Sequence, residues 1–324
     1  SSHLGSSRRA MERIDCVIPA HEKDFEVLGA AVASIRRCCP EVRRIVIVSR
    51  SPWAAAGDHG AEWVDEAAEC WPFRLEDLQD CGCAPGWLLQ QLLKLYAPSV
   101  LPGLAETVLV CDADVVWIDG RGPVRFLEPA GGHAPPEGPA PACLCTFDAE
   151  GCPPIRSAVD LHRYDDFVPA VLPGLRKQRP GAETAVCHHM CLQRGVLDAL
   201  ADGVGAAHGG APLWAVFRDA ARACGGRASE YELYAAFARQ RFPGRVALRR
   251  LAFAVVGDLQ AALRAPPEGA AFVVAHSHLR GLSAEELLDR EGVINGDVPS
   301  QILKRMTRGC PPELCAAIAG SGML

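Results

Sequence analysis

Two apolar segments joined by a pair of aspartates constrain this chain more than any other feature. Residues 107–111 form a short run rich in β-branched residues, Asp112-Ala113-Asp114 follows it directly, and residues 115–118 are apolar again. A run of this length and composition predicts a buried strand rather than a helix. Because a protein core does not tolerate unpaired carboxylates, the two aspartates predict a polar site at the carboxyl end of the strand. Oxygen ligands of this kind suit a hard divalent cation.

The segments around this strand predict an α/β fold with a mostly parallel sheet. Residues 14–19 and 44–49 have the pattern of buried strands, and residues 25–38 between them carry apolar side chains at helical spacing. A strand–helix–strand unit of this kind forms a right-handed crossover between parallel strands. Further helices are predicted at residues 87–96, 194–200, 211–223 and 230–239, further strands at 143–147 and 270–275, a loop at 131–141, and short tail helices at 284–289 and 301–308.

Bulk properties exclude some classes of protein. The formal net charge of -6 over 324 residues does not suit a binder of nucleic-acid backbones. No apolar stretch reaches the roughly 18 residues that a membrane-spanning helix needs, so no transmembrane segment is predicted. The 15 scattered cysteines favour free thiols in a reducing, cytoplasmic environment, with one or two disulfides left open. A Golgi or secretory location stays open if an N-terminal anchor was removed, because residues 1–11 read as a tag remnant and a short lead.

Six motifs follow one another in a specific order: Pro19-Ala20-His21, then Gly86-Trp87-x-x-Gln90-Gln91-x-x-Lys94, Asp112-Ala113-Asp114, His188-His189-Met190, Ser229-Glu230-Tyr231-Glu232-Leu233-Tyr234 and His276-Ser277-His278. This set resembles glycosyltransferases of the GT-A fold, which have a Rossmann-like, mostly parallel sheet. More narrowly, it resembles a poorly characterised group of bacterial and algal glycosyltransferase-like proteins. The resemblance covers about residues 12–282, with a nucleotide-binding half at about 12–120, a helix-rich acceptor half at about 140–282, and a helical tail at 283–324.

The resemblance implies a set of residues that bind a nucleotide-sugar donor. The loop after the first strand would lie against the base and ribose, and a solvated turn is its plain alternative. Trp87, Gln91 and Lys94 share one helix face by their spacing. Lys94 would reach a donor phosphate, unless it only extends along the surface towards solvent. The donor-binding residues implied in this way are Pro19, Ala20, His21, Lys23, Trp87, Gln90, Gln91, Lys94, Asp112, Ala113, and His188 or His189, which would line the donor-sugar or acceptor pocket.

A divalent cation is implied at the aspartate pair. Asp114 would coordinate the ion directly, and Asp112 would contact it or the ribose. A histidine late in the chain would complete the ligands, with His276 the first choice and His278 the second. The ion would be Mn²⁺ or Mg²⁺, and a histidine ligand favours Mn²⁺. The donor would be a nucleoside-diphosphate sugar, with UDP favoured.

Glu230 is the candidate catalytic base. Inverting transfer needs a base for the acceptor hydroxyl, and the resemblance places a carboxylate at the start of a helix beyond the acceptor loop. Gly225-Gly226 followed by Ser229 and Glu230 fits that layout, with Ser229 as N-cap. Glu232 is a second candidate. A first-turn glutamate also stabilises a helix dipole without any catalytic role, and a retaining mechanism needs no such base.

The leading hypothesis is therefore a metal-dependent transferase that moves a sugar to a hydroxyl of a glycan, lipid, protein or small molecule. A nucleotidyltransferase is an alternative, but the loop 19–22 lacks the Gly-rich sequence expected there. A nucleotide-sugar binding module without activity is another. A third is a zinc-dependent hydrolase built on His188, His189 and the His276/His278 pair. Zinc bound by Cys187 and Cys191 with the intervening histidines fits poorly, because the spacing does not suit one tetrahedral site.

Overall fold

The computed structural model describes residues 13–119, 122–128, 143–146, 148–149, 163–180, 183–249, 251–283 and 286–287. The predictions for residues 1–11, for the loop at 131–141 and for the tail helix at 301–308 lie outside these residues, as does most of the one at 284–289.

Short strands and helices follow one another along the described part of the chain. The strands are β1 (Ile14–Pro19), β2 (Val42–Ser49), β3 (Glu62–Asp65), β4 (Thr107–Cys111), β5 (Val115–Trp117), β6 (Cys143–Thr146), β7 (Asp148–Ala149), β8 (Glu183–Thr184), β9 (His189–Gln193), β10 (Val246–Arg249), β11 (Phe253–Val255) and β12 (Phe272–Val274). The helices are α1 (Phe25–Cys38), α2 (Pro85–Val100), α3 (Phe167–Val171), α4 (Arg194–Ala207), α5 (Leu213–Ala223), α6 (Glu230–Arg241) and α7 (Leu259–Arg264).

The central sheet has the strand order β3-β2-β1-β4-β9. Its first four strands are parallel, and β9 pairs antiparallel with β4. The predicted α/β class with a mostly parallel sheet is therefore confirmed. From β1 the chain proceeds to β2 and β3 on one side and later returns to β4 on the other. The strand order thus reverses between β1 and β4, and such a switch point leaves a crevice at the carboxyl ends of the strands.

A smaller sheet brings the late part of the chain to this crevice. Its order is β11-β12-β5, and β5 pairs antiparallel with β12. The pairing continues past the strands, because the backbone N–H of Ala275 donates to the carbonyl of Asp114 at 3.0 Å. The aspartate pair before β5 and the histidines after β12 are therefore neighbours.

The helix boundaries differ from the predicted ones for local reasons. Helix α2 begins at Pro85, which needs no N–H partner in a first turn, and it continues to Val100 beyond the predicted 87–96. Helix α5 begins at Leu213 after Pro212 as N-cap, two residues later than predicted. Glycines allow α2 and α6 to approach, because a Cβ on Gly226 would lie 2.1 Å from the carbonyl oxygen of Gly82.

The described residues bear on the predictions about cysteines and membrane-spanning helices. The eleven described cysteines are all free, and most are buried as small apolar side chains. No helix of the described part of the chain is both long enough and apolar enough to cross a membrane.

The imidazole of His189 lies in an aromatic cluster of the core. Its ring makes edge contacts with Trp117, Phe126 and Phe272 at centroid distances of 4.9–6.0 Å. Burial, together with the positive charges of Arg249 and His188, lowers the pKa of His189 to about 3. The ring is therefore neutral at pH 7 and acts as a core side chain.

This burial predicts acid sensitivity of the fold. Between pH values of about 6.5 and about 3, His189 is protonated in the unfolded chain but not in the folded one. The unfolded state then binds more protons, so the free energy of unfolding falls as the pH is lowered through this window, by up to about 1.4 kcal/mol per pH unit. Urea unfolding of His189→Gln at several pH values should show a shallower dependence than wild type.

A suitable control is His59→Gln, which removes a partly exposed histidine stacked on Trp53. It should keep the wild-type dependence. Equal slopes for wild type and His189→Gln would contradict the prediction.

Candidate active site

A cleft of about 820 Å³ occupies the switch point between β1 and β4. The loops after β1 and β4 form its floor, and the first turns of α2 and α6 stand at its side. All of the sequence-predicted site residues except His189 and Glu232 line it, namely Pro19, Ala20, His21, Lys23, Trp87, Gln90, Gln91, Lys94, Asp112, Ala113, Asp114, His188, Glu230, His276 and His278. A cleft of this size, with polar groups converging on it, suits a small-molecule ligand.

A buried ammonium lies at the centre of the site. Lys94 is 2% exposed, and its Nζ bonds to Oδ1 of Asp112 and, at 2.7 Å, to Oε1 of Glu230. Burial alone would lower the pKa of Lys94, but the two carboxylates outweigh it and raise the pKa. The Tyr231 ring lies 4.5 Å from the ammonium and adds a cation–π contact. Lys94 is thus a cation that joins α2, β4 and α6.

Both oxygens of Asp112 are bound by protein donors. Tyr231 donates its hydroxyl to Oδ1 at 3.2 Å, and Nδ1 of His188 lies 3.0 Å from Oδ2. Burial would raise the pKa of Asp112, but Lys94 and His188 hold it well below its usual range. His188 adopts a left-handed backbone with φ of 62°, which is uncommon for residues other than glycine. Asp112 is thus held by donors from three parts of the chain.

Glu230 is held by the first turn of α6. Ser229 is the N-cap, as predicted, and its hydroxyl accepts from the N–H of Glu232 at 3.2 Å. The N–H of Glu230 itself donates to Oε1 of Gln91 at 3.1 Å. Burial raises the pKa of Glu230, and the nearby ammonium of Lys94 opposes that rise. Glu232 faces elsewhere, because its carboxylate bonds to Thr184 at 2.6 Å and lies 3.3 Å from Lys177.

Asp114 has a carboxylate oxygen that could bind a divalent cation, with a histidine beside it. Its Oδ2 lies 2.9 Å from Nδ1 of His276, while its Oδ1 is buried and has no hydrogen-bond partner among the described residues. Leaving a carboxylate oxygen in that state costs free energy, which a cation recovers. No three His, Cys, Asp or Glu side chains converge as a metal site within the described ranges. Asp114 and His276 would therefore supply two ligands, and the usual coordination of Mg²⁺ or Mn²⁺ leaves the rest to substrate phosphates and water.

Arg280 joins the β1 loop to the strand end that carries His276. Its guanidinium donates to the carbonyl of Ala275 at 2.9 Å and to the carbonyl of Lys23 at 2.7 Å. It also bonds to Oδ1 of Asp24 at 2.8 Å. A planar guanidinium suits this bridging role because its donors are fixed in direction. Sequence patterns did not indicate Arg280, because its partners Lys23 and Asp24 lie more than 250 residues away in the sequence.

Three further residues line the cleft and could have been predicted from their positions in the sequence. Arg50 and Glu66 follow the carboxyl ends of β2 and β3, where ligands of such sheets bind. Tyr231 lay within a quoted motif without an assigned role. In contrast, His189 does not line the cleft, because its ring packs against Trp117 in the core. A zinc hydrolase that requires His189 beside His188 therefore lacks one of its ligands.

Comparison with known proteins shows structural similarity alone. No protein-family profile matches the sequence, and no curated protein sequence matches it. The structure is similar to mouse xyloside xylosyltransferase 1, with 10% identity over 82% of this chain and 99% of that one and a TM-score of 0.42. It is also similar to the galactosyltransferase LgtC in complex with donor and acceptor sugar analogues, with 12% identity over 96% and 97% of the two chains and a TM-score of 0.37. At these values no residue role is transferred from them.

The central ion cluster predicts a marked effect of removing Lys94. In Lys94→Met, Asp112 and Glu230 keep buried carboxylates but lose their shared cation, so the free energy of unfolding should fall by about 3–5 kcal/mol. The double variant Lys94→Met/Glu230→Gln removes one of the stranded charges and should be more stable than Lys94→Met. Urea unfolding at pH 7 measures both.

Lys23→Met provides the control, because Lys23 lies in the same cleft but is exposed. Its stability should stay within about 0.5 kcal/mol of wild type. A loss in Lys94→Met no larger than in Lys23→Met would show that the buried cluster does not support the fold.

Proposed function

We propose that the protein is a metal-dependent glycosyltransferase that uses a nucleoside-diphosphate sugar, with a UDP-sugar favoured. The observation that carries this proposal is Oδ1 of Asp114, which is buried without a hydrogen-bond partner among the described residues, beside His276 in a cleft that also holds Glu230. A cation ligand and a base within one cleft are what transfer from a diphosphate to a hydroxyl requires. The similarity to glycosyltransferases and the resemblance of the motifs agree with it.

The donor would lie along the carboxyl ends of β1, β2 and β4. The β1 loop from Pro19 to Lys23, together with Arg50 and Glu66, provides the wall for the nucleoside. Asp114 and His276 would hold Mn²⁺ or Mg²⁺ near the diphosphate, where the ion supplies charge neutralisation of the leaving group. Any contact of Lys94 with a donor phosphate would use the remaining N–H of its ammonium, since two carboxylates occupy the other directions.

Glu230 would act as the base of an inverting transfer. The acceptor oxygen forms a bond to the anomeric carbon as the bond from that carbon to the diphosphate breaks. The acceptor proton passes to the carboxylate of Glu230, and the nucleoside diphosphate leaves. A pKa raised by burial suits a base that works near neutral pH. Lys94, Gln91 and Ser229 position this carboxylate and its helix turn.

Donor binding tests the metal site. With Mn²⁺ present, a nucleoside-diphosphate sugar should raise the melting temperature of wild type by mass action. The shift should vanish without the metal and in Asp114→Ala, which removes the oxygen proposed to hold the ion. A screen of UDP-, GDP-, CMP- and TDP-linked sugars by thermal denaturation also identifies the nucleotide.

Asp58→Ala is the matched control, because Asp58 is an exposed aspartate outside the cleft. It should keep the full shift. A shift that survives in Asp114→Ala, or the absence of a shift with every donor, would contradict the proposal.

Turnover tests the role of Glu230. Glu230→Gln should lower kcat by about 10²–10⁴-fold while donor affinity changes little, because a base acts in the chemical step. Transfer to acceptor hydroxyls, with donor hydrolysis as a second signal, gives kcat and KM by chromatography of the released nucleotide.

Glu232→Gln is the control, since Glu232 begins the same helix but bonds to Thr184 outside the cleft. It should retain most of the activity of wild type. Equal losses in the two variants would assign Glu230 a structural role, and metal-dependent donor binding without any turnover would favour a binding module.

A further inference from the structure

One face of α2 lines the cleft with side chains whose chemistry changes along the helix. Lys94, Gln91 and Trp87 follow one another at spacings of three and four residues, and all three line the cleft. With a rise of 1.5 Å per residue, Gln91 lies about 4.5 Å and Trp87 about 10 Å from Lys94 along the helix axis. The wall therefore changes from a buried cation at its base, through an amide, to an indole near its mouth.

Gln91 presents an unused donor in this wall. Gln91 is 3% exposed, and its Oε1 accepts the N–H of Glu230. Because an N–H needs an acceptor, this bond decides which way the amide points. Its Nε2 is then left buried with no hydrogen-bond partner among the described residues. Such a donor is costly unless a ligand atom accepts from it. The donor lies next to Glu230, the proposed base.

Trp87 presents an exposed flat ring further out. It lies in the first turn of α2 and keeps 37% of its surface exposed. An indole combines a broad apolar face with low conformational freedom, so at the wall of a cleft it can stack against the ring of a ligand. Trp63 is similarly exposed at 38%, but it lies on β3 and does not line the cleft.

This half of the cleft carries little net charge. Lys94 is its cation among the described lining residues, and the two carboxylates paired with it outweigh its charge by one. The other basic lining residues, Lys23 and Arg50, belong to the loops after β1 and β2. Among the described residues, a phosphate or a carboxylate would find no unpaired positive side chain beside Gln91 and Trp87. This distribution of charge favours a neutral ligand.

We propose that the acceptor is a neutral carbohydrate of at least two sugar units, an inference that rests on the proposed transferase function. The reacting hydroxyl meets Glu230, a hydroxyl or ring oxygen of the same sugar accepts from Nε2 of Gln91, and the next ring stacks its C–H face on Trp87. A sugar ring fits because it has polar edges and an apolar face. An acyl chain would leave the amide of Gln91 without a partner. The sequence resemblance assigned Gln91 and Trp87 to the donor, and the contact of Gln91 with the base moves them to the acceptor.

Acceptor binding can be measured without donor or metal, so its outcome is separate from that of the proposed function. The probes are lactose, cellobiose, maltose and chitobiose, with octanol and a short serine-containing peptide as competing ligand classes. Ligand-detected NMR and quenching of tryptophan fluorescence report binding. At least one disaccharide should bind at millimolar concentration. Trp87→Ala should weaken it by about tenfold, the contribution of one stacked aromatic ring, and Gln91→Leu should also weaken it.

Trp63→Ala is the matched control, with an equally exposed indole removed outside the cleft, and it should bind as wild type does. Melting temperatures confirm that each variant is folded. Three results would overturn the proposal: no disaccharide binds, Trp63→Ala and Trp87→Ala change binding equally, or only octanol or the peptide depends on Trp87. Disaccharide binding that depends on Trp87, in a protein that fails to bind any nucleotide sugar, would retain the carbohydrate site and reject the transferase.

Discussion

The ion cluster of Lys94 with Asp112 and Glu230 is the interaction on which the arrangement of the site depends. Its members come from α2, from the end of β4 and from the start of α6, so each element must hold its position for the cluster to form. A buried cation is tolerated only when its partners are close and well directed. The close approach of Gly82 and Gly226 makes this possible, since side chains there would push the two helices apart. Packing of small residues thus sets the electrostatics of the cleft.

Much of the central fold could be predicted from sequence because its signals are local. β1, β2 and β4 are apolar runs of strand length, and α1 has one apolar face. The unpredicted elements are weaker in pattern. β3 is a partly exposed strand, and β5 and β11 have three residues each, so their pairing rather than their composition defines them. The antiparallel placement of β9 beside β4 depends on contacts between residues far apart in sequence.

The sequence indicated which residues line the cleft, but not the contacts they make there. Strand ends indicate which residues reach a switch point, as for Asp112 and Asp114, and the resemblance of the motifs added Glu230 and His276. All four line the same cleft. The sequence did not indicate the hydrogen-bond or ion-pair partner of each residue. Lys94 bonds to carboxylates rather than facing an open surface. His188 faces the cleft while His189, at the start of β9, enters the core, and the left-handed backbone of His188 that separates them has no mark in the sequence.

Charge explains why the two halves of the cleft suit different ligands. The centre holds three carboxylates, Asp112, Asp114 and Glu230, and one ammonium, Lys94, which leaves a formal charge of -2 when the histidines are neutral. A diphosphate would be repelled from this centre unless a divalent cation met it at Asp114. Towards Gln91 and Trp87 the ammonium of Lys94 is already paired with carboxylates, so a neutral ligand could enter without an ion. Under the two proposals, the same cluster would make donor binding depend on a cation and leave acceptor binding independent of one.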